Sequence, residues 1–353
     1  MVSNTKKRKR MVHYDLLRIF AAFSVVMLHS AAQFWYTLDV RSTEWIIANS
    51  YDAVFRFGVP VFVMISGAMF LDRDYTLDVK RLYKHNILRM LVLYVVWSCL
   101  YGLYDCRNID IQEAGIKAVF RELLYGRYHL WFIPMIVGIY MLLPILKCWV
   151  QNADPKNLQY FMGLFLVLQV GGETVRALTV TDEIHYILDT ASIELACSYV
   201  GYFVWGYYLA HVGVSDRFQK VIYALVIPSA IMNIVLGNYL AWKVNSPVGA
   251  IYDSFGVFTF IIVTALFLIT VEKGSKISFS EKSTAIIKEL SADTLGVYLI
   301  HMGLIEILEH YGIHSMLVPI AIGIPLLAVF IFIISTGIAF LLRKIPVVGR
   351  YLV

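Results

Sequence analysis

Charged residues are scarce in this chain of 353 residues: only 16% are Asp, Glu, Lys or Arg, whereas 59% are hydrophobic. A soluble protein of this length cannot bury so much apolar surface, so the composition excludes a soluble globular fold and predicts a polytopic membrane protein. The chain also lacks any hydrophilic stretch long enough for a second domain. We therefore predict a single transmembrane domain over residues 1–353, with a basic cytoplasmic tail at 1–11 and no extracytoplasmic domain.

Cysteine is rare as well, with four residues and no spacing that suits a metal site. Isolated cysteines in apolar segments usually behave as small apolar residues, so we expect neither a required disulfide nor a bound metal. The net charge of +5 and the basic run at 6–10 are compatible with nucleic-acid binding. Beside a first apolar segment, such a run is more typical of membrane topology, so we expect no nucleic-acid partner.

The apolar segments predict an all-α protein with ten transmembrane helices. With both termini in the cytoplasm, 21 of the 30 Lys and Arg residues fall on the inner side and seven on the outer side. This bias follows the positive-inside rule. The first segment is interpreted as a retained helix rather than a cleaved signal peptide, because Arg18 interrupts its apolar run. The predicted helices lie at 12–36, 52–71, 86–105, 129–149, 158–172, 193–212, 219–240, 249–271, 293–311 and 317–342.

Two ionisable residues, Arg18 and His29, lie eleven positions apart in the first segment. Eleven residues of helix make about three turns and advance about 16 Å, so both lie on one face, one near the membrane edge and one deep inside. Ionisable groups at such depth are costly and usually serve a site or a pathway. A snorkelling anchor for Arg18 and a neutral core histidine for His29 are the structural alternatives.

Other polar residues in apolar segments are weaker candidates. Arg89 lies about one turn inside the third segment and, with Lys84, forms a cationic group that suits a phosphate-bearing ligand, although topology explains such charges too. Pro60 and Gly67 predict a kinked, closely packed second helix with Arg56 as an interfacial anchor. An aromatic belt explains Trp131, and a polar helix contact explains Tyr298 and His301.

Taken together, these residues resemble the acyltransferase 3 family of integral-membrane acyltransferases. The likeness covers nearly the whole chain and is strongest to the single-domain branch that includes the enterobacterial common antigen O-acetyltransferase. The family's third-helix Arg-x-x-Arg motif is only half present, because Arg89 fits the second Arg but Asn86 occupies the first position. The motifs that carry the resemblance are Asp15-x-x-Arg18 with His29, Val59-Pro60 with Ile65-Ser66-Gly67, Leu130-Trp131-Phe132, and Leu295-Gly296-Val297-Tyr298-Leu299-Ile300-His301.

The resemblance implies an O-acyltransferase of the bacterial cytoplasmic (inner) membrane, surrounded by membrane lipids. It would move an acyl group, commonly acetyl from acetyl-CoA, to a hydroxyl of a cell-surface glycan or its lipid-linked precursor. His29 is expected to be the base or a transient acyl carrier. A transporter or exporter of a small molecule or glycolipid, without covalent chemistry, is the alternative, and an amino-acid uptake module stays open. The expected CoA-binding residues are Arg18, Arg89 and Lys84, and the expected substrate-binding residues are Arg56, Ser66, His129, Trp131 and His301.

Overall fold

The computed structural model describes residues 11–106, 127–179, 193–346 and 349–353, together with Lys117, Tyr186 and Leu188. It is 83% helical, and its described residues contain no β-strand, which confirms the all-α prediction. Most of the basic tail lies outside the described residues. So does nearly all of the stretch 111–124, whose amphipathic pattern predicts a helix on the membrane surface.

Thirteen helices are numbered here in chain order. Two of them, α4 and α6, each contain a wider helical turn, at Leu82–Ile87 and Phe165–Gly171. The helices of the described residues are α1 (Val12–Ala31), α2 (Thr43–Phe55), α3 (Gly58–Phe70), α4 (Val79–Cys106), α5 (Phe132–Asn152), α6 (Pro155–Leu178), α7 (Ile193–Tyr207), α8 (Asp216–Val244), α9 (Val257–Glu272), α10 (Glu281–Ala292), α11 (Thr294–His310), α12 (Ile320–Lys344) and α13 (Gly349–Leu352).

Eight helical stretches in the described part of the chain are long and apolar enough to cross a membrane. The bent pair α10 and α11, with an angle of 53° between its helices, makes up to nine. These stretches coincide with nine of the predicted segments, so the protein is a polytopic membrane protein. The remaining predicted segment, 193–212, corresponds to α7 and the turn Tyr208–Val212 that continues it. The count of ten therefore stays a prediction.

The second predicted segment begins earlier than its hydropathy suggests. Its helix starts at Thr43, where the Ser42 hydroxyl accepts a hydrogen bond from the Trp45 main-chain N–H at 3.1 Å and caps the helix. The chain bends at Arg56, between α2 and α3. Pro60 falls in the first turn of α3, where its missing N–H breaks no helical hydrogen bond. The helix is therefore interrupted before Pro60, and the kink itself stays a prediction.

Glycines allow α3 and α7 to pack with their backbones in contact. A Cβ atom on Gly67 would stand 1.7 Å from the Phe203 main-chain oxygen, and one on Gly206 would stand 2.1 Å from that of Met64. No larger residue fits at either position, so the expected close approach at Gly67 is confirmed. Small residues of this kind are the usual device for close packing between transmembrane helices.

The helices that carry the candidate residues, α1 and α11, lie side by side and run parallel. At one end the Ser291 hydroxyl, just before α11, donates to the Asp15 carboxylate at 2.8 Å. At the other end the imidazoles of His29 and His301 meet at 3.0 Å. Because both contacts progress in the same chain direction, α1 and α11 run parallel.

Candidate active site

A hydrogen bond between the imidazoles of His29 and His301 joins α1 to α11 at one end of the seam. His29 Nδ1 lies 3.0 Å from His301 Nε2, and His301 Nδ1 lies 3.1 Å from the Val297 main-chain oxygen, one turn back on α11. His301 is fully buried, whereas His29 keeps some accessible surface. Helical spacing explains the pair, since α1 and α11 each direct one histidine at the same level of the bundle.

These two contacts fix which nitrogen carries a proton when both rings are neutral. The Val297 carbonyl can only accept, so His301 Nδ1 carries hydrogen and His301 Nε2 is an acceptor. His29 Nδ1 must then donate to it, which leaves the lone pair of His29 Nε2 free. No described residue makes a hydrogen bond to that nitrogen. His29 therefore presents an unprotonated nitrogen, as a base or a nucleophile requires.

His129 adds a third imidazole to this pair from the turn that precedes α5. Its ring centroid lies 6.4 Å from that of His29 and 5.4 Å from that of His301. The side chain is only 1% exposed, and neither ring nitrogen has a hydrogen-bond partner among the described residues. Within the described residues, no group of His, Cys, Asp or Glu side chains has the arrangement to hold a metal ion. The three-histidine cluster is thus a group of neutral polar rings in a largely apolar bundle.

Tyrosine rings surround the three-histidine cluster. Tyr128 lies 5.9 Å from His29 and Tyr101 lies 5.2 Å from His129, measured between ring centroids. The Tyr298 hydroxyl donates to the main-chain oxygen of His129, which ties α11 to the turn before α5. Sequence reasoning missed Tyr128 and Tyr101 because neither belongs to a recognisable motif, although Tyr128 directly precedes His129.

The other end of the seam holds a paired arginine. Arg18 Nη1 donates to Asp15 at 3.0 Å, and Arg18 Nη2 contacts the Met69 sulfur at 2.6 Å. Asp15 is only 1% exposed and also accepts from Ser291. Asp15 and Arg18 therefore form a local ion pair, and Asp15 also joins α1 to α10.

A cavity of about 190 Å³ lies beside Arg18, and Ser66 and Tyr140 also line it. Three more lining residues, Val25, Phe132 and Tyr298, each stand three or four positions from one of the histidines. None of the three histidines is among the described residues that line the cavity. A layer of these three side chains, with Phe132 and Tyr298 5.5 Å apart between ring centroids, therefore separates the cavity from the three-histidine cluster.

The structure does not bring the other two expected CoA-binding residues to this cavity. Arg89 Nη2 donates to the Val353 main-chain oxygen at 2.6 Å, and only its neighbour Met90 lines the cavity. Lys84 is exposed in the wider turn of α4. The direction of these side chains depends on how the C-terminal segment packs against α4, which no local pattern reveals.

The expected acceptor residues near the cluster occupy two separate places. Arg56 is held by both carboxylate oxygens of Asp52, at 2.8 and 2.7 Å, and its guanidinium lies 5.5 Å from the centre of the Tyr252 ring. Trp131 is 45% exposed, with its ring 5.6 Å from that of Tyr199. Arg56 is thus partly neutralised, whereas Trp131 offers an open aromatic face.

Sequence reasoning also missed a buried lysine in α5. Lys147 is 5% exposed and donates to the main-chain oxygens of Phe70 and Asp72, at 3.1 and 2.8 Å. It therefore satisfies carbonyl groups at the end of α3, the usual structural use of a cation at a helix C-terminus. Its position within an apolar segment could have identified it, since an ionisable residue at such a place usually has a partner.

Comparison with known proteins identifies the family. No curated protein and no solved structure matches the chain. A model of the acyltransferase 3 family, described as an acyltransferase domain, matches residues 12–344 and so covers both ends of the seam between α1 and α11. The chain belongs to the acyltransferase 3 family and is a membrane acyltransferase.

Proposed function

We propose that this protein is an O-acetyltransferase of the bacterial cytoplasmic membrane that acetylates a cell-surface glycan or its lipid-linked precursor. Acetyl-CoA in the cytoplasm is the donor. The observation that carries the proposal is the free Nε2 of His29, held in place through Nδ1 by a buried His301 in an acyltransferase bundle. The motifs around Arg18, His29, Trp131 and His301 resemble those of the branch with the enterobacterial common antigen O-acetyltransferase, which supports a glycan acceptor.

His29 supplies the chemistry in this proposal. Its Nε2 takes the proton of an acceptor hydroxyl while the hydroxyl oxygen attacks the thioester carbonyl carbon. The carbon–sulfur bond then breaks, and the thiolate leaves with the proton. Alternatively, His29 Nε2 attacks the thioester itself, the carbon–sulfur bond breaks and the thiolate leaves. In a second step the hydroxyl oxygen takes the acyl group from Nε2 and releases its proton to water. Acid quenching followed by peptide mass spectrometry separates the two routes, since only the second leaves an acyl group on His29.

The donor approaches from the Arg18 end. A cavity of about 190 Å³ is smaller than the roughly 300–1,000 Å³ of pockets that enclose a whole drug-sized ligand. It suits the narrow acyl-thioester end, so the nucleotide of CoA stays at the membrane surface. In this proposal the thioester displaces the layer of Val25, Phe132 and Tyr298 to reach His29. Arg18, which lines the cavity, is the proposed phosphate contact, since arginine pairs strongly with phosphate oxygens. Lys84 and Arg89 are further cations near the same surface in the proposed orientation.

The acceptor approaches from the opposite side of the three-histidine cluster. Trp131 presents an exposed ring two residues from His129, and aromatic faces stack readily on the apolar faces of sugars. Arg56 lies within electrostatic range of His29. In this proposal the two substrates meet at His29 from opposite membrane faces, as transfer from a cytoplasmic donor to an exported glycan demands.

The parallel packing of α1 and α11 supports the proposed ten-helix topology. If every other span crosses once, these two helices run parallel only when the segment 193–212 crosses as well, which makes ten spans in total and places both termini on one side. Cysteines introduced at Ser3 and Tyr351 test this. Both are expected to resist an impermeant thiol reagent in intact cells and to react after permeabilisation.

Mass spectrometry of surface glycans, with and without the protein, tests the function. Loss of the protein is expected to remove an acetyl-sized mass from one glycan, and reintroduction is expected to restore it. A transporter predicts a change in the amount of glycan or metabolite exported, with the mass per repeat unchanged. Membranes that contain the protein should also transfer label from acetyl-CoA to that glycan, whereas a transporter leaves acetyl-CoA intact.

A further inference from the structure

His129 is a buried polar ring without a partner. It is 1% exposed, and both ring nitrogens lack a hydrogen bond to any described residue. The nearby main-chain oxygen of Leu299 lies outside hydrogen-bond geometry and already accepts from the Tyr101 hydroxyl at 2.7 Å. A buried donor left unsatisfied is costly, so native structures rarely keep one without a use.

Contacts with neighbouring helices fix the turn that carries His129. Its main-chain oxygen accepts from the Tyr298 hydroxyl, and the edge of the Tyr101 ring packs against the imidazole at 5.2 Å. Two positions earlier, Arg127 is held by Asp105 and Glu306, each at 2.6 Å. The turn is thereby fixed to both α4 and α11, and the imidazole is held where it is.

The His129 ring lies next to that of His29, which carries the free nitrogen. With 6.4 Å between ring centroids, facing nitrogens would be roughly 4 Å apart, too far for a direct hydrogen bond. One oxygen atom beside the line that joins them can reach both at about 2.9 Å. The space between His29 and His129 therefore matches a single reacting oxygen-bearing group.

We propose that an N–H of His129 donates a hydrogen bond to the carbonyl oxygen of the acyl group during transfer. When the acceptor oxygen, or His29 Nε2, bonds to the carbonyl carbon, the carbonyl electron pair moves to that oxygen, which becomes an oxyanion. His129 stabilises this charge with a fixed donor. As the carbonyl re-forms, the carbon–sulfur bond breaks. In the direct route the thiolate leaves with the hydroxyl proton that His29 Nε2 has taken, and in the acyl-histidine route it leaves as the free thiolate. The inference rests on the proposed acyltransferase reaction and adds its oxyanion donor.

Two non-reactive analogues of acetyl-CoA isolate this contact from the rest of the donor. In the ketone analogue a methylene replaces the sulfur and the carbonyl is kept, whereas in S-ethyl-CoA a methylene replaces the carbonyl. One neutral hydrogen bond is worth about a two- to tenfold difference in affinity. Wild-type protein in nanodiscs is therefore expected to prefer the ketone by about that factor, as measured by calorimetry or ligand-displacement titration.

Two variants of similar side-chain volume test the donor itself. His129→Gln keeps an N–H that can reach the carbonyl, and His129→Met does not. We expect His129→Gln to retain the preference and His129→Met to lose it, with unchanged affinity for S-ethyl-CoA in both. Transfer by His129→Met is expected to fall about 10²-fold or more, the usual effect of removing an oxyanion donor. His310→Phe, an exposed histidine on α11, is the control and should change neither measurement.

The possible results are distinct. A wild-type protein without a preference for the ketone, or a His129→Met variant that keeps the preference, overturns the inference while the acyltransferase proposal stands. Either result would mean that His129 instead binds the acceptor hydroxyl or a buried water. Wild-type protein that binds neither analogue overturns the CoA donor and the inference together. If His129→Met binds neither analogue, His129→Phe, which keeps a planar ring, takes its place in the same comparison.

Discussion

The two ends of the seam between α1 and α11 differ in whether their buried polar groups have partners. At the Arg18 end, the guanidinium and the buried Asp15 carboxylate neutralise each other, and Ser291 adds a further hydrogen bond. At the histidine end, His29 keeps a free nitrogen and His129 has no hydrogen-bond partner in the described part of the chain. At the Arg18 end the charges are paired, whereas at the histidine end ring nitrogens lack hydrogen-bond partners among the described residues.

The difference separates structural from chemical use of polar groups in a membrane. A buried ion pair is costly to break, because the remaining charge loses its partner, so such pairs hold helices in place. Neutral imidazoles carry a smaller desolvation cost and can be left partly unsatisfied. The seam therefore places a charged, paired end beside the cavity, which is the proposed donor site, and the histidines, which are the proposed reactive groups, about 16 Å further along α1.

The largest expected effect comes from removing the reactive end. His29→Ala eliminates the free Nε2 and should abolish acetyl transfer from labelled acetyl-CoA in membranes. Expression and affinity for acyl-CoA should persist, because His29 lies beyond the residues that line the donor cavity. His310→Phe is the matched control. Parallel loss of acyl-CoA binding in His29→Ala would show that the two ends are not independent.

His301 is expected to act through His29. His301→Phe removes the acceptor that fixes the tautomer of His29, so kcat should fall on the order of 10²-fold with little change in KM for acyl-CoA. His301→Gln offers an oxygen acceptor to His29 Nδ1 and should keep kcat within about tenfold of wild type. Steady-state measurement of kcat and KM for both variants tests whether His301 acts through His29. Equal losses in Gln and Phe would assign His301 to packing alone.

Arg18 should affect binding rather than chemistry. Arg18→Ala is expected to weaken acyl-CoA binding by about 1.5–3 kcal/mol, the usual value of a charge-assisted contact. Arg18→Lys should recover only part of this, because lysine lacks the planar fork. The double variant Asp15→Asn with Arg18→Ala removes the stranded carboxylate. If that variant regains full affinity, the loss came from Asp15 and not from a phosphate contact.

Arg89 should have the smallest effect. Its guanidinium donates to the Val353 main-chain oxygen and does not line the cavity. Arg89→Ala is therefore expected to change acyl-CoA affinity by about twofold or less, the range typical of substitutions away from a site. Titration of both Arg89→Ala and Arg18→Ala with acyl-CoA compares the two affinities directly. A loss as large as that of Arg18→Ala would place Arg89 in the donor site and restore the expectation from the family motif.

Helical periodicity was sufficient to predict what lies within one helix. The placement of Arg18 and His29 on one face of α1 follows from their spacing, and nine of the predicted apolar segments coincide with the eight or nine candidate spans of the described residues. The start of the second span was missed because Ser42, Glu44 and Asn49 dilute the hydropathy of α2. Ser42 caps this helix, and Asn49 is hydrogen-bonded to Asn238 of α8.

Contacts between distant segments could not be predicted from spacing. His29 and His301 are 272 positions apart, and nothing in either helix alone specifies that the two rings meet. The turn of Arg89 towards Val353 depends on where the end of the chain packs. The isolation of His129 likewise depends on Tyr101 and Tyr298, which occupy the neighbouring carbonyl oxygens. The resemblance to the family identified these residues as candidates, and only the structure shows that the three histidines lie together.

The rate of acetyl transfer by His29→Gln tests the central claim most directly. Glutamine can keep a hydrogen bond to His301 but cannot act as an effective base at neutral pH. The account predicts a loss on the order of 10²-fold or more in transfer from labelled acetyl-CoA to the glycan, with unchanged expression and acyl-CoA affinity. Near-normal transfer by His29→Gln would contradict it, and would make His29 a structural histidine that joins α1 to α11.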